Sequence, residues 1–202
     1  MTHESTSATL RMRCLRALLF ACAAASPALA WAHPGHDGGF LQAALHPFHG
    51  LDHVLAAVAV GVWGARLGGK AAWALPLAFV AALLGGAALG IVGWGLPLSE
   101  VAIAFSVAAL GLMVALDGRA TPACAAALMA LFALFHGSAH GLEATTSAHW
   151  GSYAAGIALG TLSLHAAGVG ATIALRARPL VLRLAAVPMA FAGLAMLANR
   201  LQ

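Results

Sequence analysis

An early stretch of the sequence combines histidines with a carboxylate at spacings that suit a metal site. It reads HPFHGLDH from His46 to His53, and Pro47 favours a helix that begins here, with His46 at its start. At about 100° per residue, His49, Asp52 and His53 would then share an arc of roughly 100° on one helix face. Imidazole and carboxylate together suit Ni²⁺, Co²⁺, Cu²⁺ and Zn²⁺, whereas oxygen ligands dominate sites for Mg²⁺ and Ca²⁺. We therefore predict that this stretch binds a divalent transition-metal ion.

A second stretch of the same character, FHGSAHGLE, ends at Glu143. In a helix, His136, His140 and Glu143 lie on an arc of roughly 60°. Both stretches are predicted at the same side of a membrane, so we expect their side chains to meet around one ion. Ionisable groups inside a bilayer cost several kcal/mol and need a partner. A bound ion is therefore favoured over histidines that only hydrogen-bond to neighbouring helices.

Further candidate ligands lie outside these two stretches. His33, His36 and Asp37, in the segment WAHPGHDGG, could capture an ion at the outer surface, or they could belong to a flexible polar tail. His165 falls in the middle of a predicted membrane span. It is either a deeper ligand on an ion path or a residue that hydrogen-bonds between packed helices, and the sequence leaves both interpretations open.

The elements that position these residues are predicted from composition. The chain is 62% hydrophobic and only 8% charged, with a mean hydropathy of +0.91, whereas soluble domains are about 25% charged. Six apolar runs are long enough to span a membrane. A span exposed to hydrocarbon must be helical to satisfy its backbone, which predicts an all-α bundle of six transmembrane helices in contact with the lipid bilayer. The predicted spans cover residues 47–67, 71–95, 98–116, 123–140, 150–175 and 180–198.

The amino-terminal segment has the form of a secretory signal. Three arginines precede the apolar run 17–30, and small residues follow it. We predict a signal peptide over residues 1–32, cleaved after Ala30 or Ala32, and a transport domain over residues 33–202; a retained first span is the alternative. The remaining basic residues fall mostly in loops on one side, which the positive-inside rule assigns to the cytoplasm. These positions indicate a bacterial inner-membrane protein with a periplasmic mature amino terminus, and they give no reason to expect a nucleic-acid partner.

Glycine pairs spaced four residues apart predict how the helices pack. Small residues at this spacing let two helix backbones approach closely. The pairs are Gly64 with Gly68, Gly86 with Gly90, and Gly156 with Gly160.

The two histidine stretches resemble those of the HupE/UreJ family of hydrogenase and urease accessory membrane proteins, which are regarded as nickel permeases. The most specific likeness is the family pattern of His, five residues and Asp-His, here His46, Asp52 and His53. The second stretch, with its acid at Glu143, matches as well. The resemblance implies that Asp52, His53 and Glu143 are required for transport. It also implies nickel(II) as the transported substrate, with cobalt, copper or zinc as alternatives, and no resident cofactor.

We accordingly expect a transporter that imports nickel for hydrogenase or urease maturation, and not an enzyme. Moving a divalent ion inward through ~100 mV would gain about 4.6 kcal/mol. Because imidazole ligands must be neutral, uptake is expected to fall as the pH drops below about 6.5. An intramembrane metal-dependent hydrolase that also uses Ser138 is one alternative, and a haem-binding electron carrier is another. The sequence does not indicate an oligomeric state.

Overall fold

The computed structural model describes residues 39–144 and 150–202. All described residues belong to the compact unit Gly35–Gln202. The predicted signal peptide lies outside the described residues, and so do His33, His36 and Asp37.

Within the described ranges the regular structure is entirely helical, which confirms the all-α class for this part of the chain. A short 3-10 turn, His46–Phe48, follows the first helix. The helices are α1 (Phe40–Leu45), α2 (Leu51–Leu67), α3 (Ala71–Ile91), α4 (Ser99–Ala115), α5 (Pro122–Glu143), α6 (Trp150–Ala174) and α7 (Pro179–Arg200).

Four of these helices, α3, α5, α6 and α7, are long and apolar enough to cross a membrane. They contain 21 to 25 residues, and at 1.5 Å per residue such helices match a hydrocarbon core of about 30 Å. The segment Phe40–Phe48 and α2 pass the same test together, but they are bent by 83° relative to each other. The apolar helix α4 is shorter, at 17 residues. The described chain therefore has the helices of a membrane protein, with four or five of them long enough to span.

The first predicted span is not one continuous helix, and this corrects the prediction for residues 47–67. The chain breaks at His49 and Gly50, and α2 begins only at Leu51. Gly50 has an extended backbone at the amino-terminal cap of α2. A Cβ at this position would lie 2.7 Å from Asp52 Oδ1 and 2.8 Å from His53 Nδ1. The absence of a side chain at Gly50 thus leaves room for the Asp52 and His53 side chains at the start of α2.

Close backbone approach is confirmed for two of the glycine pairs. Gly86 and Gly90 of α3 face the backbone of α5, and Gly137 and Gly141 of α5 face the backbone of α3. The pair in α6, Gly156 and Gly160, faces the backbone of α1. The contacts of Gly156 and Gly160 hold the short helix α1 against the long helix α6.

The third pair behaves differently. Gly64 packs against the start of α3, but Gly68 has nothing within 4 Å of its Cβ position. Gly68 instead caps the carboxyl end of α2 with a positive φ of 76°, a conformation that suits glycine. The prediction that Gly68 is a helix-packing residue is therefore wrong.

The two ends of the helix bundle differ in charge. At one end, Arg66 of α2 contacts Asp117, Trp63 Nε1 donates to Gly118 O at 2.8 Å, and Arg183 of α7 donates to Ala115 O at 2.9 Å. The loops at this end, which we call the basic end, contain Lys70, Arg119, Arg176 and Arg178. The other end of α2 and the carboxyl end of α5 carry the predicted ligands.

Candidate metal site

Three predicted ligands meet where the 3-10 turn crosses the end of α5. Glu143 is the last residue of α5, and His140 lies on the same face one turn earlier. His46 Nε2 is 2.8 Å from Glu143 Oε2, and His140 Nδ1 is 3.8 Å from the same oxygen. One potential ligand atom from each residue lies within 4.8 Å of the other two. This spacing allows one small cation to be bound by all three side chains after a modest contraction.

The group is the exposed part of a cluster that continues into the bundle, and we call this part the opening. The Glu143 side chain is 58% exposed and that of His46 is 35% exposed, whereas that of His140 is only 2% exposed. A carboxylate thus lies at the surface with a buried imidazole behind it, an arrangement that suits the binding of a cation. The 83° bend between the segment Phe40–Phe48 and α2 places His46 beside the end of α5.

Asp52 serves His53 from within the first turn of α2. Its Oδ1 accepts the backbone N–H of His53 at 2.9 Å and lies 2.8 Å from His53 Nδ1. A carboxylate can only accept, so Nδ1 carries the proton and Nε2 keeps its lone pair. A carboxylate behind an imidazole is the usual arrangement at metal-bound histidines, where it fixes the tautomer and raises ligand basicity. Asp52 is thus placed to orient His53, although the sequence pattern had suggested a direct ligand.

Ser106 of α4 determines the tautomer of His136 in a similar way. Its hydroxyl donates to Ile103 O at 2.7 Å and lies 3.0 Å from His136 Nε2. The single hydroxyl proton is used on the carbonyl, so Nε2–H must donate to the serine oxygen. The lone pair of His136 therefore lies on Nδ1. The sequence predicted no role for Ser106, whose only signal is a polar residue within the apolar part of α4.

The imidazoles form a continuous row from the opening into the bundle. The ring centroids of His46 and His140 are 4.9 Å apart, those of His140 and His53 are 4.4 Å apart, and those of His53 and His136 are 4.9 Å apart. We call these four side chains the histidine row. The sequence predicted all four as ligands, and the structure brings them together from the 3-10 turn, α2 and α5.

His49 does not join the row. It caps the 3-10 turn before the extended Gly50, and its side chain is exposed. The predicted common face with Asp52 and His53 required a helix that already included residue 49, so the break at the start of α2 makes that prediction wrong. His46, which precedes the break, lies next to Glu143 instead.

Unpartnered nitrogens mark the site as one suited to a cation. Among the described residues, the buried side-chain atoms without a hydrogen-bond partner are His53 Nε2, His140 Nδ1 and His165 Nε2. Buried polar atoms in proteins are nearly always paired, and two of these nitrogens belong to the histidine row. Nitrogen lone pairs gathered beside a carboxylate can be satisfied together by a divalent transition-metal ion.

The two remaining predicted residues, His165 and Ser138, are buried and hydrogen-bonded. His165 lies in α6, is 1% exposed, and its Nδ1 donates to Ala57 O of α2 at 2.7 Å. Ser138, which could take part in the hydrolase alternative, is fully buried, and its hydroxyl oxygen accepts the backbone N–H of Leu96 at 2.8 Å. This bond holds the loop between α3 and α4 against α5, which is a structural use of the serine.

Comparisons with known proteins agree with one another. A family model described as HupE / UreJ protein matches residues 19–196. Protein HupE of Rhizobium leguminosarum bv. viciae is 46% identical over 178 residues, which cover 87% of this chain and 93% of that protein. No solved structure matches the chain.

Proposed function

This chain belongs to the HupE/UreJ family of membrane accessory proteins for hydrogenase and urease, and from that premise we propose that it imports nickel ions across the bacterial inner membrane. The imported ion would serve the maturation of a hydrogenase or a urease. The observation that carries the proposal is the group formed by His46, His140 and Glu143, which opens into the rest of the histidine row.

The chemistry of the row suits a mobile ion. A hydrated Ni²⁺ would first exchange water for the exposed carboxylate of Glu143 and for the imidazoles of His46 and His140. Neighbouring rings are 4.4 to 4.9 Å apart, so each move inward replaces one nitrogen ligand with another. The ion therefore never has to lose all its ligands within an environment of low polarity, where a bare charge is very costly.

The orientation follows from the charge difference between the two ends. Basic residues accumulate on the cytoplasmic side of membrane proteins, and the basic end lies away from the histidine row. We propose six spans in total, with α4 and the bent segment each counted as one, and a periplasmic mature amino terminus after signal cleavage. His33, His36 and Asp37 would then capture ions close to the opening. Inward movement of Ni²⁺ through ~100 mV gains about 4.6 kcal/mol, which is enough to drive accumulation.

The ligand set restricts the choice of metal. Imidazole nitrogens with one carboxylate favour Ni²⁺, Co²⁺, Cu²⁺ or Zn²⁺ over Mg²⁺ and Ca²⁺. Nickel is proposed because of the hydrogenase and urease accessory role of the family. Competition by the other three ions would measure the selectivity directly.

The proposal is tested by uptake of radioactive nickel in cells that make the wild-type protein, Glu143→Gln or His49→Gln. We expect Glu143→Gln to lower accumulation at least tenfold, because it removes the charge at the opening. His49→Gln is the matched control, since this histidine belongs to the same stretch but lies outside the histidine row, and it should accumulate nickel normally. Equal accumulation in wild type and Glu143→Gln would refute the role of the opening, and no more accumulation in wild type than in cells without the protein would refute nickel import.

A further inference from the structure

We propose that His165 is an inner binding station for the transported ion, separated from the histidine row by the side chain of Phe79. The inference rests on the proposed function and extends it, because it adds His165 as a ligand beyond the histidine row and Phe79 as a barrier between the row and His165.

The first observation is the hydrogen bonding of His165. Its Nδ1 is 2.7 Å from Ala57 O, and a carbonyl oxygen can only accept, so Nδ1 carries the proton. The lone pair of the ring is therefore on Nε2, which is buried without a hydrogen-bond partner in the part of the chain that is described. If His165 served only to join α6 to α2, the Nδ1–H donor would be sufficient and Nε2 would have no use. The unpaired Nε2 is the kind of atom that binds a divalent transition-metal ion.

The second observation is the position of Phe79 in α3. Its ring centroid lies 5.7 Å from that of His136 and 5.2 Å from that of His165, and the side chain is 2% exposed. One phenyl ring thus touches both the last member of the histidine row and His165. An apolar ring at such a position excludes water and ions while it stays in place. Rotation of this side chain would open the way between the two imidazoles.

The third observation is depth. His165 is bonded to Ala57, which lies about 7.5 Å further along α2 than Asp52 at a rise of 1.5 Å per residue. Gly61 of α2 also packs directly against the backbone carbonyl of His165. His165 therefore lies on the side of the histidine row that faces the basic end. An ion leaving the row in that direction would meet Phe79 first and His165 next.

The decisive variant is His165→Asn, because an asparagine amide nitrogen corresponds in position to Nδ1 and keeps the bond to Ala57 O while the Nε2 lone pair is lost. We expect at least a tenfold loss of nickel uptake in cells. In contrast, the purified variant should bind Ni²⁺ at the opening with an affinity within twofold of the wild type, as measured by calorimetry. Normal uptake by this variant would make His165 a packing residue and would overturn the inference. Loss of nickel binding at the opening would overturn it as well.

These outcomes are distinct from failure of the proposed function. If the wild type accumulates nickel and His165→Asn does so equally well, only the inner station is refuted. If the wild type itself accumulates no nickel, the proposed function fails.

A cysteine probe detects the ion at this position directly. His165→Cys is made in a protein whose three native cysteines, Cys14, Cys22 and Cys124, are changed to serine. We expect added Co²⁺ to produce a sulfur-to-cobalt charge-transfer band in the near ultraviolet. Ser163→Cys is the matched control on the same helix, two residues earlier and on another face, and should give no such band. Absence of the band in His165→Cys once the opening is saturated with cobalt would refute the inner station.

The role of Phe79 is tested by the rate at which this band appears. With Phe79→Ala added to His165→Cys, the band should develop at least tenfold faster after cobalt is mixed in. An unchanged rate would remove Phe79 from the path.

Discussion

The position of one proton on each imidazole decides whether a histidine of this protein can bind a cation. His53 carries its proton on Nδ1, toward Asp52, and His136 carries its proton on Nε2, toward Ser106. The partners differ, but each fixes which ring nitrogen of its histidine carries the lone pair. Asp52 and Ser106 are therefore placed to orient these histidines, and we expect them to affect a bound ion only through the two rings.

Replacement of Asp52 tests this indirect role. We expect Asp52→Asn to weaken nickel binding about 10- to 100-fold, the usual effect of losing a carboxylate behind a metal-bound histidine. Calorimetric titration of the purified variant with Ni²⁺ gives the affinity. His49→Gln again serves as the control, and an affinity unchanged by Asp52→Asn would show that the carboxylate does not support the site.

Packing of α3 against α5 is the contact between elements on which the site depends most. α5 carries His136, His140 and Glu143, and α3 carries Phe79. The two backbones interlock through glycines on both sides, so their relative position is fixed by backbone contacts. Long flexible side chains between them would allow the imidazoles to shift.

A pair of glycine substitutions tests this interlock. A Cβ at Gly137 would collide with the carbonyl group of Leu83, whereas a Cβ at Gly85 would meet nothing within 4 Å. We expect Gly137→Ala to lower the free energy of unfolding by about 1–3 kcal/mol, as overpacking does. Gly85→Ala should be neutral or stabilising by up to about 1 kcal/mol, because alanine favours the helix. Thermal unfolding in detergent gives both values, and equal effects would show that α3 and α5 do not pack as described.

At the scale of the whole molecule, the two ends of the bundle differ in the groups that they carry. The end with Glu143 carries the histidine row, and the basic end is tied together by contacts among α2, α4, α7 and the loop that contains Asp117. The Arg66 guanidinium, through its hydrogen bond and its charge, holds the pKa of Asp117 below the ordinary range for an aspartate. At the basic end, an ion pair and the Trp63 hydrogen bond therefore join α2 to the loop between α4 and α5.

The lowered pKa of Asp117 predicts how its contribution varies with pH. A carboxyl group with a lower pKa in the folded state stabilises the fold above its unfolded value of about 3.9, and this contribution is lost as the pH falls through the folded pKa. Asp117→Asn should therefore unfold at a lower temperature than the wild type near pH 6, and the difference should shrink below about pH 4. Because the Asp117 side chain is 43% exposed, we expect a small effect. A difference that stays constant down to the lowest pH at which both proteins fold would contradict the ion pair.

The amino-acid sequence by itself determined the class of the protein and the chemistry of its site. A chain with so few charges needs a bilayer, and a bilayer permits only structures that satisfy their own backbone, so the helical class follows from composition. The two histidine stretches also contain the four histidines of the row and Glu143, residue types that suit a divalent transition-metal ion. Spacing along a helix can be counted in the sequence, as for His140 and Glu143.

Only the tertiary structure decided which of these side chains meet. His46 and Glu143 are almost a hundred residues apart, and they come together because the chain bends sharply before α2 and because glycines let neighbouring helices approach. The same bend excludes His49, although its spacing in the sequence looked equally suitable. The local sequence around Ser106 and Phe79 does not show which residues they contact, since Ser106 meets His136 and Phe79 meets His136 and His165 only after the helices have packed. Contacts of this kind depend on the packing of several elements at once, and the local pattern of residues does not encode them.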